Sequence, residues 1–388
     1  MLRGVEVGPV AHGGHFVARH DGFVVFVRGA LEGELVDVRV TEVARRFARG
    51  DVAALHRPSP HRVEPPCPIA GTCGGCDFQH VEPGWTRELK RQVVAGLLDH
   101  LGGVAFTGQV AEVPPSPFGW RTRMRYRHAA DGRPGLLAHR SAEVVPLPAE
   151  GCRLAVPAIA APASAGSPGA ELLAVVAASG AEFLARPADG SEPSGTVPDG
   201  SGPDGSAGRT VVEHASGRGY EVAVDGFWQA HSAAPAVLVD AVLAGLRPEP
   251  GEAAVDLYCG VGLFAGALAA AGCRVTGIEG DRRAVDLAAR NVPEARFLAG
   301  DVARRLGQVG GADVVVLDPP RTGAGARVLR QVLGWRPRAV AYVACDPAAL
   351  GRDLRTASEL GYRPASITAY DLFPMTHHVE CVAILEPA

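Results

Sequence analysis

Ala253-Ala-Val-Asp-Leu-Tyr-Cys-Gly-Val-Gly262 is the stretch whose reading decides the fold. A short apolar, partly β-branched run enters a glycine turn, as a buried strand ending in a tight loop does. Leu263 to Ala271 is rich in Ala, Leu and Phe and stops at Gly272, which predicts a helix. Cys273 to Glu279 then predicts a second strand with an acid at its carboxyl end. Strand, glycine turn, helix, strand and acid make half of a doubly wound α/β sheet. The glycines let a ligand approach the backbone, and Glu279 is placed for ribose hydroxyls. Gly260-x-Gly262-x-x-Ala265 also fits a dinucleotide fingerprint. This stretch alone therefore leaves a nicotinamide enzyme and a methyltransferase both open.

The alternation continues downstream. Arg296 to Asp301, Ala312 to Asp318 and Ala339 to Cys345 read as further strands, each ending in a residue with chemistry: Asp301, Asp318 and Cys345. In open α/β sheets the ligand lies at those carboxyl ends. Upstream, Asp225-Gly-Phe-Trp-Gln-Ala-His231 leads into a helix over 235–246.

The first 58 residues have a different texture. Short alternating segments punctuated by Gly13-Gly14, Asp21-Gly22 and Gly33 predict a small β-barrel. Cys67, Cys73 and Cys76 follow at C-x5-C-x2-C among prolines and glycines, a loop suited to wrapping a metal. Cys152 or His80 is a candidate fourth ligand, and the spacing admits zinc or an iron–sulfur cluster. Residues 85–101 predict a helix able to pack on the α/β part. Trp120-Arg-Thr-Arg-Met-Arg-Tyr-Arg127, read as a strand, puts Arg121, Arg123, Arg125 and Arg127 on one face, a candidate RNA backbone contact. Leu172 to Val176 and Ala181 to Ala185 predict a weak hairpin. Residues 186–208 hold Gly, Ser, Pro and Asp with little to bury, and are expected to be a disordered insertion.

At 388 residues and 47% hydrophobic, the chain holds two or three cored domains. A net charge of -4 excludes a globally basic nucleic-acid binder but not local basic faces. No apolar run is long enough for a bilayer, and no secretory pattern opens the chain. The expectation is a cytoplasmic monomer with no membrane partner. Eight cysteines without an export signal read as metal or catalytic groups before disulfides.

The order of these motifs resembles the S-adenosylmethionine-dependent RNA (uracil-C5)-methyltransferase family. Asp256-Leu-Tyr-Cys-Gly-Val-Gly-Leu-Phe264 is similar to its cofactor loop. Asp318-Pro-Pro-Arg321, Tyr342-Val-Ala-Cys-Asp-Pro347 and Phe373-x-x-Thr376-x-His378-Val-Glu380 are similar to its catalytic signatures, in its order, and Phe227-x-Gln229 to its upstream cofactor contact. The resemblance implies a Rossmann-like α/β methyltransferase domain over 227–388. It also implies an RNA-binding TRAM (OB-like) barrel over 1–58 and a β-rich central domain over 59–226. In that central domain Cys67, Cys73, Cys76 and Cys152 would hold a [4Fe–4S] cluster. It implies Cys345 as nucleophile, Glu380 as general base and Asp318 beside the reacting groups. Gln229, Asp256, Tyr258, Gly260, Gly262, Glu279, Asp301 and Asp318 would hold S-adenosylmethionine, and Arg321 would join the RNA contacts. The family's common Ser-Cys-Asn-Pro is Ala344-Cys-Asp-Pro347 here, and an Asn of the glycine loop is Leu263. The combination resembles most the enzymes of 23S rRNA, with tRNA as the alternative substrate. A dehydrogenase would explain only the glycine loop.

Overall fold

The computed structural model describes residues 1–163, 165–186 and 209–388. The expected insertion over 186–208 lies, apart from Arg186, outside the described residues.

Strands β1 (Leu2–Ala11), β2 (His15–His20), β3 (Phe23–Arg28), β4 (Leu35–Val43) and β5 (Phe47–Arg57) close into a barrel in the order β1-β2-β3-β5-β4. Closure leaves no strand edge open. Val5, Val7, Phe16, Val25, Val27, Val36 and Val38 alternate inward and fill it. Helix α1 (Pro83–Leu97) starts on a proline, tolerated in a first turn. A π-helical turn, Leu98–Gly102, extends it. Strand β6 (Val110–Glu112) follows.

The middle of the chain forms a sheet from β7 (Arg123–His128), β8 (Pro134–Leu137), β9 (Val144–Pro146), β10 (Glu171–Ala177) and β11 (Gly180–Arg186), in the order β11-β10-β7-β8-β9. A short helix α2 (Pro157–Ala160) packs beneath it. The segment expected as a weak hairpin is a regular one, since β10 gains β7 as a second partner. A separate hairpin, β12 (Thr210–Ala215) and β13 (Arg218–Ala223), leads into α3 (Ala234–Leu246).

The α/β part carries β14 (Ala253–Leu257), α4 (Leu263–Ala270), β15 (Arg274–Glu279), α5 (Arg282–Asn291), β16 (Arg296–Ala299), α6 (Val302–Arg305), β17 (Val314–Leu317), α7 (Gly325–Gly334), β18 (Ala339–Ala344), α8 (Pro347–Glu359), β19 (Tyr362–Asp371) and β20 (Glu380–Pro387). The sheet order is β16-β15-β14-β17-β18-β20-β19-β6. The first five strands are parallel, and β20 inserts antiparallel between β18 and β19. The strand order reverses between β14 and β17, where a crevice opens. β14, β17 and β18 are apolar throughout because helices cover both faces, except for Asp256.

The boundary expected at 226 does not separate two independent cores. β6 pairs with β19 as the eighth strand of the α/β sheet. The β12–β13 hairpin joins the same apolar cluster as α3 and α4, with Tyr220 and Val222 fully buried there. Both segments carry apolar faces that pack into the clusters of the α/β part. No helix among the described residues is long and apolar enough to cross a membrane.

Candidate active site

A cavity of about 850 Å³ opens at the carboxyl ends of the parallel strands. Tyr258 and Gly260 from the loop after β14, Glu279 after β15, Asp301 after β16, Asp318 and Arg321 after β17 and Cys345 after β18 all line it. Glu380 begins the antiparallel β20, so its first residue falls at this same end. Gln229 and the exposed Phe227 close the upstream side. Arg121 also reaches this wall.

The β18–β20 ladder ends at the Ala344–Cys381 pair; Cys345 follows the last residue of β18, Glu380 is the first residue of β20, and both line the cavity. Among the described residues Cys345 is the one cysteine on the cavity wall; Cys259 and Cys381 are buried behind it. Burial pushes the Cys345 thiol up to about 12, with Glu380 and Asp318 adding, while Arg321 opposes. Burial raises the Glu380 carboxyl well above the usual range, with Asp318 adding. Asp318 is pushed up to about 7, by burial first and Glu279 second. Carboxyl groups crowded in a dry crevice resist ionising together.

The glycine loop is held from below. Tyr258, Gly260 and Gly262 all have positive φ, of 64°, 53° and 93°. At Tyr258 this is strained backbone, which the loop's hydrogen bonds to Ile278 offset. Glu279 accepts from the Gly260 N–H at 3.0 Å and from the Asp281 N–H at 2.8 Å, one to each carboxylate oxygen. Second lone pairs on both oxygens stay free for a ligand. Asp301 caps α6 through Arg304 N at 3.0 Å. Two expected cofactor residues are not on the wall. Asp256 is fully buried, and its Oδ2 accepts from Ala265 N at 2.8 Å, bracing the start of α4. Gly262 is the N-cap of α4, packed against Val292 and Phe297.

Sequence reading missed other wall residues. Asp225 pairs with Arg283 at 2.8 Å and with Arg186, and all but Arg186 line the cavity. Phe373 lines it as well. Its carbonyl accepts from Lys90 Nζ at 3.0 Å, and the same ammonium meets Asp371 at 2.6 Å, both side chains 1% exposed. Lys90 is the only lysine in the sequence, a signal that a specific buried role was worth seeking.

The cysteines occupy a second cavity, of about 270 Å³, ringed by Cys67, Cys73, Cys76 and Cys152. The Gly75 N–H points at Cys73 Sγ, 3.4 Å away, and Gln79 Nε2 donates to Cys76 Sγ at 3.1 Å. Such donors favour the thiolate form that a metal needs. Among the described residues no group of three or more His, Cys, Asp or Glu converges on a single-ion position. His80, the alternative fourth ligand, faces away: its Nε2 lies 3.1 Å from Ala30 O, and burial pushes the ring down to about 4.

The arginine strand is divided in use. Arg123, its side chain 12% exposed, pairs with Glu213 at 2.9 Å. Arg125 and Arg127 share Glu171 at 3.3 and 3.4 Å, with side chains 60% and 39% exposed. Arg121 precedes β7 and lies between the two cavities, lining both. Trp120 and Tyr126 are fully buried, so neither offers a stacking face.

Comparison with known proteins fits this geometry. The TRAM domain model matches residues 3–53, and the model described as tRNA (Uracil-5-)-methyltransferase matches residues 308–388. An uncharacterized RNA methyltransferase of Streptomyces avermitilis is 44% identical, with 99% of this chain and 98% of that protein covered. The 23S rRNA (uracil(1939)-C(5))-methyltransferase of Alkalilimnicola ehrlichii is 32% identical, over 98% of this chain and 96% of that one. The fold is similar to that of Pyrococcus abyssi tRNA (uracil-54, C5)-methyltransferase in complex with S-adenosyl-L-homocysteine, with a TM-score of 0.73, 24% identity and coverage of 98% and 99%. With whole-length relatives of this kind the nicotinamide reading falls away, and the chain belongs to the S-adenosylmethionine-dependent RNA (uracil-5-)-methyltransferases.

Proposed function

We propose that this enzyme methylates C5 of a uridine in 23S rRNA through a covalent bond between Cys345 and C6 of the uracil. The observation that carries the reading is that Cys345, after β18, and Glu380, opening β20, line one wall of a cavity that the glycine loop also lines. C5 of uracil is a weak nucleophile. Addition of the Cys345 sulfur at C6, its proton passing to solvent, pushes the ring electrons onto C5 and O4; C5 then attacks the methyl carbon as the donor's sulfonium sulfur leaves with the bonding pair. S-adenosylmethionine supplies that methyl as an electrophile. Glu380, once ionised, takes the C5 proton as a general base, its raised carboxyl making it the stronger base; the C5–C6 double bond re-forms and the sulfur leaves. The target base enters the cavity only when turned out of its stack.

In the free chain burial favours the protonated thiol, and the neighbouring Arg321 guanidinium favours its ionised form. Asp318 stands beside both, able to accept from an N–H of the uracil or of the methyl donor's amino group. Glu279 suits ribose hydroxyls and Asp301 the adenine amino group, with Gln229, Tyr258 and Gly260 completing the cofactor's walls. Asp256 acts on that cofactor at one remove, by holding the loop.

Four thiols around a cavity suit a [4Fe–4S] cluster, which spaces its ligands about itself, better than a single zinc ion, which draws them to a point. Cys67, Cys73, Cys76 and Cys152 would hold it, and its chemistry here would be structural. The barrel over 1–58 and the exposed Arg125 and Arg127 would meet the RNA backbone, with Arg121 and Arg321 nearer the base.

Support for rRNA comes from the relative that is 32% identical along its whole length. The family model and the fold neighbour are named for tRNA, which makes tRNA the second reading. Mapping 5-methyluridine in both RNAs from a strain lacking the gene separates them. Loss of one 23S rRNA site with intact tRNA is expected; loss confined to tRNA would reverse the substrate.

A further inference from the structure

The loop that carries the cysteines also reaches into the catalytic segment. The residue after Cys76 is Asp77, and its Oδ2 accepts from the His377 N–H at 2.9 Å and lies 2.7 Å from His377 Nδ1. The N–H groups of Asp77 and Phe78 both donate to Met375 O, at 2.9 and 3.1 Å. Met375 has φ 64°, an unfavourable conformation for a side-chain-bearing residue that these bonds help to hold. The segment 373–380 is thus clamped from outside its own domain.

The clamp continues to the cavity. The rings of His377 and His378 are 4.0 Å apart. Arg321 lies with Nη2 at 3.3 Å from His378 Nε2. Burial, His377 and Arg321 together push the His378 ring down to about 3, so it is neutral and Nε2 accepts from the guanidinium. Arg321 shares the cavity wall with Cys345. The barrel backs the clamp: a Cβ on Gly14 would stand 3.0 Å from the Cβ atoms of Asp77 and His377. His12 Nε2, on the same turn, is 3.2 Å from Asp346 Oδ2, next to Cys345.

We propose that Asp77, His377 and His378 are positioning residues that hold Arg321 beside Cys345, so that the fold of the cysteine loop sets the reactivity of a thiol in the other half of the molecule. The proposal rests on the reading of Cys345 as nucleophile. A guanidinium free to swing into solvent would act on the thiol through water and lose most of its effect. A purely structural clamp would instead lower stability and leave the thiol's reactivity alone.

The test measures how fast iodoacetamide alkylates Cys345 in the full-length protein without RNA. Mass spectrometry of the Cys345 peptide reads the rate, at one fixed pH and below every variant's unfolding temperature. Arg321→Ala should slow alkylation by about tenfold, the change in thiolate fraction for one pKa unit. His378→Ala and Asp77→Ala should each slow it by a similar factor. Combining His378→Ala with Arg321→Ala should slow it no further, because one acts through the other. His378→Gln, which keeps an acceptor for Arg321, should recover most of the rate. Unchanged alkylation in a folded His378→Ala protein, or losses that multiply in the double variant, would overturn the proposal. Methylation surviving in Cys345→Ala would remove the nucleophile assignment and leave the alkylation result standing, so the two failures are distinct.

Discussion

Cys345 and Glu380 share one cavity wall from antiparallel neighbours, Cys345 just after the end of β18 and Glu380 at the start of β20, each one residue past the Ala344–Cys381 pair. A thiol and a carboxyl thus meet from strands of opposite direction, at the end of the sheet where the glycine loop also lies. The first expectation concerns the order in which they act. Cys345→Ala should bind RNA and cofactor but form neither adduct nor product. Glu380→Gln should add to the uracil, accept the methyl and stall, leaving a protein–RNA adduct stable to denaturing electrophoresis and carrying the methyl label. Normal turnover by Glu380→Gln would remove it as the base.

The cysteine cavity leads to a second expectation. Protein purified without oxygen should be brown and contain iron, and Cys73→Ser should lose both colour and iron. Because Asp77 ties this loop to His377, loss of the cluster should also lower the thermal midpoint. Colourless protein with stoichiometric zinc would sink the cluster assignment.

The arginines of β7 should divide by exposure. Changing Arg125 and Arg127 to Ala should weaken RNA binding and flatten its salt dependence, by about one unit of slope for each phosphate no longer neutralised. Arg123→Ala leaves Glu213 buried without its partner and should cost about 1–3 kcal/mol of stability. Chemical denaturation reads the stability, and binding titrations over a range of salt read the slope. Equal RNA effects from Arg123 and Arg125 would contradict the division.

Asp318 gives a pH dependence with a definite sign. Its carboxyl goes from 3.8 to about 7 in the folded chain. Between those values the folded chain holds a proton that the unfolded chain has lost, so stability is greatest below the window and falls as pH rises through it. Glu380 and Asp256 act in the same direction and are common to both proteins compared. Asp318→Asn should therefore flatten the thermal midpoint against pH relative to the parent, measured without cofactor. Parallel curves would show that Asp318 ionises as freely as in water.

Much of this was legible in the sequence because it is local. The glycine loop, the strand-end acids and the barrel each follow from a pattern inside a few dozen residues. Strand ends also placed Glu279, Asp301, Asp318 and Cys345 together, as the sheet does. What was not legible depends on partners far along the chain. β6 is three residues long and is a strand only because β19 accepts it. Asp256 reads as a ligand residue by its motif, yet the side chain turns under the loop and accepts from Ala265 N in the first turn of α4. Arg123, Arg125 and Arg127 alternate along β7 as expected, but Arg121 precedes the strand, and Glu213 and Glu171 pair with the other three to leave Arg125 and Arg127 the more exposed. His80 has a metal ligand's residue type and spacing, and the barrel's Ala30 carbonyl takes it.

Asp77 and His377 are 300 positions apart, and Lys90 and Asp371 are 281 apart. Contacts of such separation carry a large loop-closure cost and close after the local ones that make their loops shorter. The glycine loop and its strands are held by contacts from their own neighbourhood, whereas the segment bearing Phe373 to Glu380 is held by α1 and the cysteine loop. Competence in this chain therefore rests on its longest-range closures: the place for the base to be methylated is finished only where α1 and the cysteine loop meet the segment from Phe373 to Glu380.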